Sequence, residues 1–331
     1  MFTKIVKQFF PNSIVSTAAL RFPITSRGWD VYMPGPDLCR FNEPNFWLIL
    51  NLQDMLTCKP GEIPSELKQI HKFYESWANL SRIIVVVWPI GIAAAWPDSG
   101  FHIVEFSTHQ HETWLQYKKK EKILRNAFAD KHKDFEFNFM CMNRIAKPHR
   151  KIAYNKLKLY NTGNCSLQSD GRELIYPCLD FRVYERQYNN FTNLLSLEKN
   201  FNTALFSIIT ESQYYEQFGI ITEKTFNAIV AGHPFMIIGH RNILQQIQQL
   251  GFKTYNNIFK EEYDVVDNND RINAIIESNA SYITSKMRSP DMINYYEYLR
   301  ERIDYNRNFF FEEFGPTQLK WFKTQLLNIP H

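Results

Sequence analysis

Phe206 to Gly239 reads FSIITESQYYEQFGIITEKTFNAIVAGHPFMIIG, and the order of elements within it decides the fold. Phe206 to Thr210 is a short apolar run rich in β-branched residues, the pattern of a strand buried on both faces. Glu211 and Ser212 stand where that strand would emerge. Thr222 then precedes Glu223, Lys224, Phe226 and Ile229, a capped start followed by helical spacing. Ala231-Gly232-His233-Pro234 stops the helix before a second apolar run, PFMIIG. Strand, helix and strand in this order make a parallel step. Ligands of open parallel sheets lie at the carboxyl ends of the strands, so Glu211, Glu223 and Lys224 are expected to face one crevice.

Working outward, the same alternation recurs. From Phe135 the sequence predicts a strand (FEFNFMCM), a polar turn from Asn143 to Pro148, a helix over His149 to Tyr160, and irregular chain to Asn200. After Gly239 it predicts helices over Asn242 to Leu250, Arg271 to Glu277, Pro290 to about Phe314, and Thr317 to Leu327 beyond Gly315-Pro316. Before Phe135, FWLILN (Phe46 to Asn51), IIVVVW (Ile83 to Trp88) and Phe101 to Phe106 read as strands. Ser65 to Asn79 has Leu67, Ile70, Phe73 and Trp77 on one helical face. One long charged helix is expected from Thr108 to about Lys131, with Trp114, Leu115, Ile123, Leu124 and Phe128 on its packing side. The fold class is α/β, with domains expected at 1–134 and 135–331.

The chain has 331 residues, 44% of them hydrophobic, enough for a sizeable core and for two domains of ordinary size. Its longest apolar stretch, Ile83 to Trp96, is interrupted by Pro89 and Gly91 and is shorter than the ~20 residues of a membrane span. No transmembrane helix and no membrane partner are expected. The N-terminus MFTKIVKQFFPNSIV lacks a continuous apolar core and a small-residue cleavage site, so it does not read as a signal peptide. Cys39, Cys58, Cys141, Cys165 and Cys178 are odd in number and without C-x-x-C spacing, which argues against a disulfide framework or a zinc site and for a cytoplasmic location. A net charge of +4 is mild, and its one dense basic run, KKKEK at Lys118 to Lys122, reads as a solvated helix face.

An acidic residue after a strand, I-T-E-K opening a helix, and a small-residue turn before a Pro-Phe strand resemble the donor-binding half of fucosyltransferase-like glycosyltransferases. The pattern is similar also to glycosyltransferases encoded by large phages and other viruses. Gly251-Phe252-Lys253-Thr254-Tyr255 and Glu262-Tyr263-Asp264 match two further segments of that set, and Phe137 to Arg150 (FNFMCMNRIAKPHR) matches the strand, N-R and H-R elements that begin the domain. The resemblance covers roughly residues 137 to 310. It implies a GT-B-like arrangement of two Rossmann-like domains facing across a cleft, and transfer of a sugar from a nucleoside-diphosphate donor to an acceptor hydroxyl without a metal. The implied acceptor is a hydroxylated base in phage DNA, with the enzyme in the cytoplasm of a bacterial host, or else a glycan or protein. A non-catalytic module that binds a sugar or partner on the same fold is the rival expectation.

Without a metal, cations and helix N-termini must hold the diphosphate. Lys224 is expected there by the resemblance and by its place in the first turn of a helix, although a lysine opening an amphipathic helix also suits plain solvent contact. Arg144 and Arg150 follow the strand at Phe137 to Met142 and suit bidentate phosphate binding; His149 is placed to assist, while Lys147 and Lys151 fall on the solvated face. Glu211 and Glu223 would accept hydrogen bonds from ribose or sugar hydroxyls, and Tyr215 would stack on the base. For the general base, Glu43 and Asp98 are the candidates, with His109 and His111 also eligible by position. His109 and His111 at i, i+2 point to different faces of a helix, so no metal site is expected. Neither G-x-S-x-G nor a P-loop motif occurs.

Overall fold

The computed structural model describes residues 2–11, 13–16, 47–52, 67–68, 71–72, 81, 83–87, 96–129, 135–143, 145–169, 173–174, 194–214 and 221–330. The chain forms two compact units: Met1–His111 with Glu216–Ile220 and Thr317–His331, and Glu112–Tyr215 with Ile221–Pro316. The division falls between His111 and Glu112, inside a helix.

The first unit begins with helix α1 (Phe2–Phe9) and carries a sheet of β1 (Ser13–Ser16), β2 (Trp47–Leu52), β3 (Ile83–Val87) and β4 (His102–Glu105) in that spatial order. Every pairing is parallel. All five residues of β3, IIVVV, are buried, which is why the strand is written as an unbroken apolar run. Val6 and Phe10 pack with Trp47, Ile49, Ile84, Val86 and Val104, and with Phe322 and Leu326 from near the chain end. Phe106 stacks on Phe322 with ring centroids 4.3 Å apart. The Gln325 amide accepts from Glu105 N and donates to Glu105 O, both at 2.9 Å, so the β4 end is satisfied by a side chain rather than by another strand. Of the predicted helix Ser65 to Asn79, the described residues 67–68 and 71–72 are helical.

The single helix expected over 108–131 is two, α2 (Thr108–Lys118) and α3 (Glu121–Ala127). Three consecutive lysines offer the break nothing apolar to bury. Glu121 then opens α3, where a negative charge favours a helix start, and takes Lys118 at 2.8 Å and Arg125 at 2.7 Å across the junction.

The second sheet contains β5 (Phe137–Asn143), β6 (Gly163–Ser169), β7 (Glu173–Leu174), β8 (Ala204–Thr210) and β9 (Phe235–Ile238). Its spatial order is β7-β6-β5-β8-β9, parallel except for the short edge strand β7. Helix α4 (Pro148–Leu157) follows β5, α5 (Glu198–Thr203) precedes β8, and α6 (Glu223–Val230) links β8 to β9. Strand β6 corrects the irregular chain expected after Tyr160. GNCSLQS has no apolar run, and it is held by register, with Cys141 opposite Cys165 and Asn143 opposite Leu167. Since the chain leaves β5 for β6 on one side and returns as β8 on the other, the order reverses at β5. Such a reversal opens a crevice at the carboxyl ends of the two central strands.

Helices α7 (Ile243–Gln249), α8 (Asn268–Ser278), α9 (Ala280–Ile283), α10 (Ser289–Phe309) and α11 (Gly315–Leu327) complete the chain. The N-cap of α7, Asn242, is left-handed (φ 63°) and gives no side-chain cap. Asp264 supplies it from a distance, accepting from Leu244 N at 3.1 and 3.2 Å and Gln245 N at 3.3 Å. The break expected at Gly315-Pro316 is bridged instead: a π turn over Phe310–Phe314 joins α10 to α11, and the Trp114 indole lies where a Cβ on Gly315 would be. Among the described residues no helix is long and apolar enough to cross a membrane.

Candidate functional site

The crevice between β5 and β8 is where the predicted residues gather. Thr210, the last residue of β8, donates its hydroxyl to Asn143 Oδ1 at the end of β5, tying the two strand ends together. Glu211 follows and is fully buried. Its carboxylate accepts four hydrogen bonds: from Thr222 N (3.1 Å), Thr222 Oγ1 (2.5 Å), Thr225 Oγ1 (2.6 Å) and Ser212 N (3.2 Å). This corrects the expectation that Glu211 offers its oxygens to sugar hydroxyls, because the start of α6 already uses them. Glu211 fixes the α6 N-terminus to the end of β8. Thr222 is the N-cap, as its place in the sequence predicts, and accepts from Lys224 N at 3.4 Å.

Around Ser212 three cations converge. Lys147 Nζ donates to the Ser212 carbonyl at 2.7 Å, while Arg150 Nη2 and Lys224 Nζ each lie 3.4 Å from its hydroxyl. Two come from the start of α4 and one from the start of α6, so two helix N-termini with their partial positive charge meet the same turn. Arg150 is buried; its guanidinium also donates to the Thr210 and Ile145 carbonyls at 3.3 Å, and its Nε has no hydrogen-bond partner. Burial lowers the Arg150 basicity, opposed by the charges of Glu211 and Glu223. Lys224 is held by Glu223 at 2.7 Å and by Thr222 Oγ1 at 3.2 Å, and both members of the ion pair are a quarter exposed. Against Glu211 and Glu223, these three cations leave the turn one positive charge in excess.

The turn is braced from below by a stack. The His149 ring lies 5.0 Å from that of Tyr214 with 7° between planes, and its Nε2 is 2.9 Å from the Glu211 carbonyl oxygen. Arg271, fully buried, sits 5.5 Å from the Tyr214 ring and donates to the Gly239 carbonyl at 2.5 Å and the Val266 carbonyl at 2.7 and 3.0 Å. The Tyr214 hydroxyl donates to Asn268 O at 2.5 Å.

Burial, then the neighbouring Arg150 and Lys147 charges, bring the His149 pKa down from 6.5 to about 4, against the hydrogen bond that the ring donates to the Glu211 carbonyl. Burial carries His240 the same way, to about 3. Both rings are therefore neutral in the fold and take up protons more readily once it opens. Their contribution to stability is complete above about pH 6.5 and falls as pH drops toward 4. His149 alone should account for ~3 kcal/mol of that loss. Urea unfolding at pH 7 and pH 4.5 should show a markedly smaller acid loss for His149→Gln than for the unaltered chain; equal losses would dismiss the assignment.

Other predicted residues fall elsewhere. Arg144, Tyr215 and Glu43 lie outside the described residues. Asp98 is exposed in the turn 96–100 that leads into β4. All four strands of that sheet run parallel, so Asp98 is at the amino edge, opposite the ends where ligands of such sheets bind. His109 and His111 follow β4 at the carboxyl edge, and His111 is buried with its ring 5.7 Å from Phe106. Among the described residues no group of three His, Cys, Asp or Glu side chains is arranged to hold a metal.

Sequence reasoning missed Lys147, assigned to solvent, as well as Thr225 and Arg271. Pro148 at the first helical position was the usable signal for Lys147, since it places Lys147 at the N-cap of α4. The matched segments after α7 serve the core: Asp264 caps α7, Tyr263 accepts from Ile237 N, and Phe252 packs on Phe226 and Phe309.

No protein-family model matches this chain, and no curated protein sequence does. Two solved structures show a loose likeness. An alpha1,3-fucosyltransferase is 12% identical with a TM-score of 0.31, over 85% of this chain and 91% of that one. The wall teichoic acid polymerase TagF is 10% identical with a TM-score of 0.27, over 89% of this chain and 73% of that one. Superpositions this loose leave the fold to rest on the sheet topology and the site on its own geometry.

Proposed function

We propose that the chain is a GT-B-type glycosyltransferase whose nucleoside-diphosphate sugar is held by Lys147, Arg150 and Lys224 at the carboxyl edge of β5 and β8. The observation that carries this reading is the convergence of those three cations on Ser212, between two helix N-termini, at the point where strand order reverses. In the transfer, an acceptor hydroxyl oxygen bonds to the anomeric carbon as the bond to the phosphate oxygen breaks, and the hydroxyl proton passes to a general base on the acceptor side. The departing nucleoside diphosphate takes the electron pair, and the cations meet the charge that develops on it. Side-chain cations do this in place of a metal. Lys224 exchanges its Glu223 partner for a phosphate oxygen, and Glu223, so released, turns to the sugar or ribose. Glu211 and His149 position the turn without touching substrate.

Incubating the chain with a panel of nucleotide sugars in the absence of acceptor, with release of free nucleotide measured, tests the reading. Slow hydrolysis of one donor is expected. Nucleotide-sugar binding without turnover would favour the sugar-binding module instead. Neither binding nor turnover would end both. For the acceptor, we favour a glycan or protein hydroxyl over a hydroxylated DNA base, because the described donor edge carries only one excess positive charge. Duplex binding at low salt that falls steeply with added salt would reverse that preference.

A further inference from the structure

The basic run KKKEK has no part in the donor site, and it lies on an open face of the second unit. Lys118, Lys119, Glu121, Lys122, Arg125 and Asn126 line a shallow recess of about 480 Å³ at the junction of α2 and α3. Among the described residues, the carboxylates that reach these cations are Glu121, bound by Lys118 and Arg125, and Glu312, 3.1 Å from Lys118. Four lining cations against two acids leave a surplus of two, and Lys119 and Lys122 are exposed, with Lys120 exposed beside them. Ile123, four residues beyond Lys119 and next to Lys122, is 49% exposed. An aliphatic side chain standing in water among lysines is the composition of a surface that meets lipid headgroups.

We propose that this face docks peripherally on an anionic membrane, with headgroup phosphates taken by Lys119 and Lys122 and Ile123 entering the boundary with the acyl chains. A lipid surface fits better than nucleic acid for two reasons. The face is shallow and lacks a projecting element to enter a groove, and a duplex backbone gives Ile123 nothing apolar to bury against. The expectation of no membrane partner rested on the lack of an apolar span, which peripheral binding does not need.

Vesicle flotation of the full chain at low salt, with phosphatidylcholine alone and with added phosphatidylglycerol, tests the proposal. Binding is expected only with phosphatidylglycerol. The double variant Lys119→Gln/Lys122→Gln should lower the partition coefficient by about thirtyfold, and Ile123→Ser should lower it severalfold. All three positions are exposed, so thermal unfolding of the variants should match that of the parent. Failure of the parent to float with phosphatidylglycerol would overturn the proposal. Equal flotation with phosphatidylcholine alone, or no loss in the double variant, would do the same. Tighter binding to a DNA duplex than to the vesicles, lost in the double variant, would reassign the face to nucleic acid.

Discussion

Glu211→Leu should destabilise the chain by about 4 kcal/mol and lower its thermal midpoint by roughly 10 °C. The carboxylate is fully buried and accepts four hydrogen bonds from Thr222, Thr225 and Ser212, so its removal strands two hydroxyls and two backbone N–H groups. It also takes away one of the two carboxylate charges that act on the buried guanidinium of Arg150. A buried donor left without an acceptor costs ~1–3 kcal/mol, less where water reaches it, so the loss is set by these hydroxyl and N–H groups. Glu211→Gln keeps one acceptor oxygen and should lose about half as much. Denaturant unfolding followed by circular dichroism measures both, and a Leu variant within ~1 kcal/mol of the parent would show that the network contributes little.

Lys224→Ala should have the opposite profile, with stability nearly unchanged and the proposed donor affinity reduced by ~10- to 100-fold. A charge-assisted hydrogen bond to phosphate contributes ~1.5–3 kcal/mol, whereas the partly exposed Lys224–Glu223 pair contributes ~0–1 kcal/mol to folding. If the ammonium also meets charge developing on the leaving group, transfer should slow by ~100-fold beyond the loss of binding. Calorimetric titration with nucleoside diphosphates and the nucleotide-release assay read the two effects separately. Lys151→Ala, on an exposed helix position, is the control expected to change neither. Full affinity in Lys224→Ala would remove the residue from the site.

These two residues differ in how far the sequence revealed them. The cap at Thr222 and the start of α6 at Glu223 are written locally, and the structure has them where the sequence predicts. A strand buried on both faces reads as an apolar run, so β3, β5 and β8 were also legible, to within two or three residues at their ends. β6 was not, because GNCSLQS is polar at alternate positions and gains its place from pairing with β5 rather than from its own composition. The split of the charged helix at Lys119 and Lys120 was hidden for a related reason. Helical spacing continues across it, and the ion pairs with Glu121 that favour two helices do not appear in the periodicity.

By itself the sequence determined that parallel α/β steps are present, that Glu211, Glu223 and Lys224 fall near one strand's carboxyl end, and that α6 begins at Thr222. Tertiary structure decided on which side of β5 each neighbour pairs, and hence where the crevice opens. It turned Glu211 inward and Lys147 toward Ser212, and put Asp98 at the amino edge of its sheet. The physical reason is range. Caps and strands follow from side chains a few residues apart, whereas the partners of Glu211 and Ser212 are up to 65 residues away in the chain and meet only when β5 and β8 pair.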